Sequence, residues 1–439
     1  MPEPTTSPVP ELVLAGAQLP GSPERVDIRV ENGLIAAISP AQPRTAPAGG
    51  RVLRADGALA LPAFIDLHTH TRDPGKPQAE TVHSAVRAAA AGGYAVLHAM
   101  ANTTPVADTP QAVMEVWQRG QEAALADIRP VGAVTVGLQG ERLAPISAMH
   151  QTPAAPVLFS DDGHCVTRAD LMRAALREVA AFDGVIAQHA QEATLTAGAQ
   201  AHEGDPARRM GLPGWPAVAE SVIVARDVLL AADTGARLHV CHVSTAQTVD
   251  VLRWAKARGI PVTAEVTPHH LILTDDLVET ADPVYKVNPP LRPASDVRAV
   301  REALADGTID VVATDHAPHE DSAKSCSWQE AAMGMLGLET SLAVVWQTMV
   351  STGLIGIDRL VQVMSSAAAA IARIPAPQVS VGAPARLALV APDAAWVVER
   401  DALNSLSRNT PFAGMAMPVR VLATVYDGRI THEHERSAG

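Results

Sequence analysis

The 439-residue sequence has few cysteines and no long apolar run, and each of these shortages excludes a class of protein. Three scattered cysteines are too few for a disulfide framework and indicate a reducing compartment. No run reaches the roughly 18 apolar residues needed to span a bilayer. The first residues lack the basic start and unbroken apolar core of a signal peptide. Together these shortages predict a cytoplasmic protein.

The charge balance is acidic. A net charge of −13 argues against a surface that binds nucleic acid, because such surfaces are basic. With 47% hydrophobic and 18% charged residues, the composition is that of a globular enzyme with a large core. We therefore expect neither a nucleic acid nor a membrane as a partner.

Strand-like segments at both ends of the chain enclose a middle region with a different pattern. The ends alternate apolar and polar residues and carry Asn-Gly and Asp-Gly turns. In the middle, helix-compatible segments separate most of eight short apolar runs: Ala63–Leu67, Tyr94–Met100, Val131–Val136, Pro156–Ser160, Gly184–Gln188, Arg237–Val243, Pro261–Val266 and Ile309–Thr314. This alternation predicts an α/β fold, a (β/α)8 TIM barrel over residues 59–377. Residues 1–58 and 378–439 are expected to pair into one small discontinuous β-domain.

Side chains that can bind metal follow several of these runs. In a barrel, the carboxyl ends of the strands form the site. His68 and His70 are two residues apart, so on a strand they face the same way, as metal ligands do. The candidates on later runs are Asp161 and Asp162 after the fourth, His189 after the fifth, His242 at the end of the sixth and Asp315 after the eighth. If the barrel forms, these groups converge, and a binuclear metal site is the leading hypothesis.

The motif "FSDDG" places two carboxylates side by side after an apolar run, where each needs a partner. Strand alternation leaves open whether Asp161 or Asp162 faces the site. A second pair, His432 and His434, follows a glycine turn near the end of the chain, and we do not expect it to bind metal.

The motifs around these residues resemble those of the amidohydrolase superfamily and, within it, dihydroorotases of type I. The resemblance runs nearly end to end and is carried by "DLHTHTRDPG", "AMANTTPV", "FSDDG", "AQHAQE", "HVCHVST", "EVTPHHL", "KVNPPLR" and "ATDHAPH". The HxH pair alone marks only the superfamily. "MANTTPV", "VNPPLR" and "TDHAPH" together are specific to dihydroorotases and near relatives. The resemblance implies a TIM barrel with a small β-sandwich and two Zn²⁺ ions per chain.

The resemblance also implies how the metals are held. The implied ligands are His68, His70 and Asp315 for the first ion, and His189 and His242 for the second. Many superfamily members bridge their two metals with a carboxylated lysine, but no lysine occurs between Lys76 and Lys256. Asp162 matches the aspartate that bridges the metals in this class. Asp161 is then expected to support the site or cap a strand.

The implied reaction is the reversible cyclisation of N-carbamoyl-L-aspartate to (S)-dihydroorotate with loss of water, the third step of de novo pyrimidine (UMP) biosynthesis. A metal-bridged hydroxide would be the nucleophile in the hydrolytic direction, and Asp315 the catalytic acid and base. Arg72 can offer its guanidinium fork to the substrate carboxylate. The residues that match the family's substrate-binding positions are Arg72, Asn102, Asn288, His319, Met333 and Gly334. Residues 319–334 are expected to form a lid-like loop.

Two alternatives stay open. The chain could be another cyclic amide hydrolase, such as a hydantoinase or an allantoinase. Many of those rely on the missing lysine bridge, and their substrates need no carboxylate clamp. It could also be an inactive scaffold for aspartate transcarbamoylase, but such a scaffold is expected to lose metal ligands, and all six are present here. A homodimer is expected, and an association with aspartate transcarbamoylase is left open.

Overall fold

Eight parallel strands in the middle of the chain close into a barrel, and strands from both ends form a second sheet. A computed structural model describes residues 11–42 and 50–434. The strands in these residues are β1 (Leu12–Gln18), β2 (Arg25–Glu31), β3 (Leu34–Pro40), β4 (Arg51–Arg54), β5 (Leu59–Pro62), β6 (Phe64–Thr69), β7 (Tyr94–Ala99), β8 (Asp127–Pro130), β9 (Leu158–Phe159), β10 (Val185–Gln188), β11 (Ala201–His202), β12 (Gly214–Trp215), β13 (Arg237–Val240), β14 (Val262–Val266), β15 (Val311–Val312), β16 (Leu387–Ala391), β17 (Trp396–Val397), β18 (Ala416–Met417), β19 (Arg420–Tyr426) and β20 (Arg429–Glu433).

The described residues contain twelve α-helices, and those before β15 connect the strands of the barrel. They are α1 (Val82–Ala91), α2 (Pro110–Ala123), α3 (Ile146–His150), α4 (Ala169–Ala180), α5 (Asp205–Arg209), α6 (Val218–Thr234), α7 (Ala246–Ala257), α8 (Ala294–Asp306), α9 (Asp321–Lys324), α10 (Ser341–Val345), α11 (Ile357–Val361) and α12 (Ala367–Ala372). Threonine caps begin several of them: the hydroxyls of Thr81, Thr109 and Thr245 accept from the backbone N–H three residues on. Among the described residues, no helix is long and apolar enough to cross a membrane.

The barrel strands follow one another in chain order: β6, β7, β8, β9, β10, β13, β14 and β15. The ring closes at two short bridges. Gly132, just after β8, pairs with Phe159 of β9, and Thr69 of β6 pairs with His316, just after β15. The predicted (β/α)8 barrel is thereby confirmed. Its closure brings the residues after β6 and β15 together, although they are far apart in sequence.

The third barrel strand lies earlier than predicted. The apolar run Val131–Val136 is not the strand, because β8 is the more polar Asp127–Pro130. Most of the run is buried all the same. Val131 packs with barrel-strand residues, and Ala133 and Val134 pack in a separate cluster with side chains of α2, α3 and α4. The run is therefore apolar because it fills the space beneath these helices rather than because it forms the strand.

The second sheet joins both ends of the chain in the order β20-β19-β16-β5-β1-β2-β3, with β4 beside β1. The junction is the antiparallel pairing of β5 with β16, which sets Leu59 against Val390 and Pro62 against Leu387. This sheet is the small β-domain expected from the two ends. We propose that residues 1–58 and 378–439 form the small β-domain and that residues 59–377 form the barrel domain. By its pairing, β5 belongs to the sheet.

Candidate active site

Four histidines surround one carboxylate at the carboxyl ends of the barrel strands. Oδ2 of Asp162 lies 3.2 Å from Nε2 of His68 and 3.2 Å from Nε2 of His70. Its other oxygen, Oδ1, lies 3.3 Å from Nδ1 of His189 and 3.3 Å from Nε2 of His242. All five side chains are buried. Each oxygen of Asp162 therefore faces one histidine pair, which is the arrangement that a carboxylate shared by two cations requires.

Asp315 is a second carboxylate beside the pair His68 and His70. Its Oδ1 lies 3.1 Å from Nε2 of His70 and 3.5 Å from Nε2 of His68. Burial opposes the charge of Asp315, but the neighbouring histidines hold its pKa well below the ordinary value. The residue follows β15 with a positive φ of 44°, as does His242 with 33° after β13. Both leave the extended conformation where their strands end, and both side chains reach the centre.

Hydrogen bonds orient the ring nitrogens of the first histidine pair. Nδ1 of His70 lies 2.9 Å from Oδ1 of Asn102. Because an amide oxygen only accepts, this nitrogen carries the proton, and the lone pair of Nε2 faces the centre. Nδ1 of His68 lies 2.6 Å from Oε1 of Glu265 in the same way. Nε2 of His68 is buried and makes no hydrogen bond. Such outer partners are typical of histidines that bind metal.

His189, in the second pair, is oriented in the same way. Nε2 of His189 lies 2.9 Å from Oε1 of Gln191, so Nδ1 faces the centre. There Nδ1 lies 2.9 Å from Nε2 of His242. Two ring nitrogens this close need a proton or a cation between them. The groups thus fit a metal centre. In the described residues, three sets have suitably close ligand atoms: His68 with His70 and Asp162, Asp162 with His189 and His242, and His68 with Cys241 and Glu265.

The electrostatics favour positive charge at the centre. Burial raises the pKa of Asp162, but His68 and hydrogen bonds from His189 and His242 bring it well below the ordinary value. Burial lowers the pKa of His68, but Asp162 and Glu265 raise it well above its ordinary value. The buried carboxylates Asp162 and Glu265 therefore favour the positively charged form of His68. Divalent cations would supply the same compensating charge.

Asp161 points away from this centre. Its Oδ1 accepts from the backbone N–H groups of Val134 at 2.8 Å and Thr135 at 2.9 Å, and its Oδ2 accepts from the hydroxyl of Thr135. The two neighbouring carboxylates thus face opposite ways, and Asp161 ties the segment after β8 to the end of β9. His164, three residues on, is exposed.

Two further carboxylates connect barrel strands, and sequence reasoning missed both. Oε1 of Glu265, on β14, accepts from the backbone N–H of His242 at 3.2 Å besides facing His68, and its Oε2 lies 3.0 Å from Nε2 of His239. Asp66, on β6, accepts from both the N–H and the hydroxyl of Thr314, at 2.8 and 2.5 Å. The available signal was a carboxylate inside an apolar run, which burial tolerates only with partners.

A cavity of about 290 Å³ opens beside the metal-binding groups. It is lined by His70, Arg72, Asn102, Asp162, Gly163, His189, Asn288, Asp315, Ala317, His319, Met333 and Gly334. Every predicted substrate-binding residue is therefore at the cavity. His68 and His242 lie behind it among the metal-binding groups. The tail histidines His432 and His434 line a different cavity, against Trp396 and Arg420.

Local contacts hold the cavity residues in place. Nε of Arg72 donates to the carbonyl of Pro318 at 3.1 Å, and Nδ2 of Asn102 donates to the carbonyl of Asp162 at 3.3 Å. Nε2 of His319 donates to the carbonyl of Met333 at 2.9 Å, and burial with nearby positive charge lowers the pKa of His319 to about 3. His319 is therefore neutral.

Gly334 is required where the loop 319–334 returns to the cavity. Its φ is +144°, and an added Cβ would lie 2.8 Å from the Cβ of Ala317 and 2.8 Å from Nε2 of His319. No side chain fits there without displacing the cavity wall.

Comparisons with known proteins agree with this geometry. The sequence profile of the family described as Dihydro-orotase-like matches residues 57–248. A protein named dihydroorotase from Streptomyces coelicolor is 52% identical over 430 residues, which covers 95% of this chain and 99% of the relative. Another from Leifsonia xyli is 54% identical over 421 residues, covering 95% of each chain. The structure of an L-hydantoinase (dihydropyrimidinase) from Arthrobacter aurescens superimposes with a TM-score of 0.84 at 26% identity, covering 96% of both chains.

The barrel, the two histidine pairs around a carboxylate and the similarity to a hydantoinase structure define a cyclic amide hydrolase of the amidohydrolase superfamily. The sequence similarities then narrow the choice within that superfamily. The chain belongs to the dihydroorotase family.

Proposed function

We propose that this chain is a cytoplasmic dihydroorotase that interconverts N-carbamoyl-L-aspartate and (S)-dihydroorotate in de novo pyrimidine biosynthesis. The observation that carries the proposal is Asp162 between two histidine pairs, beside a cavity that contains Arg72. The names of the relatives above 50% identity support the same substrate.

The proposed cofactor is a pair of Zn²⁺ ions, since imidazole and carboxylate ligands suit zinc. The proposed ligands are His68, His70 and Asp315 for one ion, His189 and His242 for the other, and Asp162 between them. When bound, the ions would lower the pKa of a water molecule and polarise a carbonyl of the substrate. The fit rests on the four histidine ring nitrogens that face Asp162 and on Nε2 of His68, which lies 3.2 Å from Oδ2 of Asp162 without forming a hydrogen bond.

Asp315 is the proposed catalytic acid and base. Because its pKa lies well below the ordinary value, it is a carboxylate at neutral pH and can accept a proton. In ring opening, it takes a proton from the attacking water and passes it to the ring nitrogen as the C–N bond breaks. In ring closure, the ureido nitrogen attacks the carboxyl carbon and gives a proton to Asp315 as the C–N bond forms. Asp315 passes this proton to one carboxylate oxygen, which takes a second proton from solvent and leaves as water.

Arg72 is the proposed anchor for the substrate's free carboxylate. Burial lowers its pKa to about 10, so the guanidinium remains charged at neutral pH. The bond from Nε to Pro318 fixes the plane of the guanidinium at the cavity. We assign the remaining contacts to Asn102, Asn288, His319, Met333 and Gly334. Asn102 also orients His70, so it connects substrate binding to the metal centre.

The test combines zinc content per chain with turnover of dihydroorotate, with dihydrouracil and allantoin as uncharged substrates for comparison. Two zinc ions and turnover of dihydroorotate alone are expected. Turnover of the uncharged rings alone would favour a hydantoinase. The absence of both metal and turnover would favour a scaffold for aspartate transcarbamoylase. Sedimentation with and without that enzyme tests the proposed homodimer and any association.

A further inference from the structure

A line of hydrogen bonds connects the proposed metal ligand His189 to Asn288 in the cavity wall. The line begins at a backbone carbonyl. The hydroxyl of Thr196 lies 2.9 Å from the carbonyl oxygen of Glu192. Because a carbonyl only accepts, Thr196 is the donor there. Its oxygen is then free to accept from Nε2 of Gln191, which lies 2.9 Å away.

This contact fixes the orientation of the Gln191 amide. With Nε2 turned to Thr196, the oxygen Oε1 faces the site, 2.9 Å from Nε2 of His189 and 3.1 Å from Nδ2 of Asn288. An amide oxygen only accepts, so both partners donate to it. The orientation therefore follows from the Glu192 carbonyl and does not depend on which amide atom is taken as oxygen.

Two consequences follow on opposite sides of Gln191. On the metal side, His189 keeps its proton on Nε2, and the lone pair of Nδ1 faces Asp162 and His242. On the cavity side, the amide of Asn288 is turned so that Oδ1 points away from Gln191. That oxygen is buried and has no hydrogen-bond partner. A buried acceptor without a partner is costly, and a donor from a bound molecule removes the cost.

We propose that Gln191 is a positioning residue that makes Asn288 present its carbonyl oxygen to an N–H group of the substrate while it holds His189 in its metal-binding tautomer. The inference rests on the proposed function, because dihydroorotate and N-carbamoyl-L-aspartate both carry such N–H groups. Asn288 is then a hydrogen-bond acceptor for the substrate, and the amide of Gln191 serves both the metal centre and substrate recognition.

The test removes the acceptor without changing the shape of the side chain. Gln191→Met is expected to raise the zinc dissociation constant about tenfold or more, as loss of an outer partner of a metal ligand does. Zinc affinity is measured by competition with a chelator, and it does not depend on turnover. The same variant, loaded with zinc, is expected to raise KM for dihydroorotate about tenfold, because Asn288 is then free to turn.

A double-mutant cycle separates positioning from general damage. In Asn288→Leu the acceptor is gone, so adding Gln191→Met should raise KM no further, while the zinc dissociation constant still rises. Independent, multiplying effects on KM would overturn the substrate half of the proposal. An unchanged zinc affinity in Gln191→Met would overturn the metal half. If the wild type binds zinc but does not turn over dihydroorotate, the proposed function and the substrate half fail together, and the zinc measurement still decides the metal half.

Thr196 provides a variant that touches neither ligand nor substrate. Thr196→Val is expected to raise KM about threefold, and Thr196→Ser to restore it, because only the hydroxyl orients Gln191. Thr348→Val is the matched control: this buried threonine also donates to a backbone carbonyl, that of Val344 at 2.7 Å, and it does not line the cavity. Equal effects of the two valine variants would overturn the inference, even if Gln191→Met fails to fold.

Discussion

The adjacent carboxylates Asp161 and Asp162 should respond oppositely to the same substitution. Asp161→Ala removes the acceptor of two backbone N–H groups and one hydroxyl, all in the segment after β8. At about 1–3 kcal/mol for each buried group left unpaired, the expected loss of stability is roughly 4 kcal/mol. Asp161→Asn keeps one oxygen for both N–H groups and should cost only about 1 kcal/mol.

The size of the effect can be expressed as a melting temperature. The unfolding entropy is about 2.1 cal/mol/K per residue, or about 0.9 kcal/mol/K for 439 residues, so Asp161→Ala should melt about 4 °C lower. Calorimetry on metal-free protein avoids the stabilisation that bound zinc adds. Zinc content and turnover should stay near the wild-type values, because Asp161 faces away from the histidines.

Asp162→Asn should show the converse. An asparagine offers one oxygen, which can face only one histidine pair, and its NH₂ group cannot bind a metal. Zinc should fall to one ion per chain or fewer, and turnover should be lost. If Asp161→Ala loses zinc, or if Asp162→Asn retains two ions, the assignment of the bridging carboxylate is wrong.

Three further predictions follow from the site and its loop. Arg72→Met should keep its zinc but raise KM for dihydroorotate about 30- to 150-fold, because it loses a charged hydrogen bond of about 2–3 kcal/mol. An unchanged KM without the guanidinium would contradict the role of Arg72 in binding the substrate carboxylate. Glu265→Gln should weaken zinc binding about 10- to 100-fold, because Glu265 orients His68. Glu220→Gln should leave zinc binding unchanged, because the buried carboxylate of Glu220 accepts from Ser244 and Thr245 instead. Burial lowers the pKa of Lys324 from 10.5 to about 7, so folding favours its neutral form. The stability of the wild type, compared with that of Lys324→Met, should therefore rise between pH 7 and 10 and stay constant below pH 7. Calorimetry across that range would contradict the assignment if the difference stayed constant.

The parts of the site that follow strand ends could be predicted from the sequence. A barrel places the carboxyl ends of its strands on one face, so His68, His189 and Asp315 could be grouped before their distances were known. Which of Asp161 and Asp162 faces the metal-binding groups could not be predicted, because β9 ends at Phe159 and strand alternation no longer applies beyond it.

Partners across the barrel could not be predicted. Glu265 and His68 are separated by 197 residues, and no local pattern joins them. Gln191 stands two residues after His189 in a loop, where neither helical nor strand periodicity indicates which way a side chain points. The third barrel strand was predicted too late in the chain for a related reason. Apolar residues fill the space beneath helices as well as forming strands, and Val134 packs beneath helices.

The pairing of β5 with β16 sets the order in which the molecule can be completed during synthesis. More than three hundred residues separate Pro62 from its partner Leu387. At about 5–20 residues per second, the ribosome needs roughly 15 to 65 seconds to add them. During that interval the edge of β5 has no partner strand, and such an edge is a site of wrong pairing with other chains. The last step in forming the sheet can occur only when the whole barrel has been translated, so a chain truncated within the barrel carries a permanently open edge.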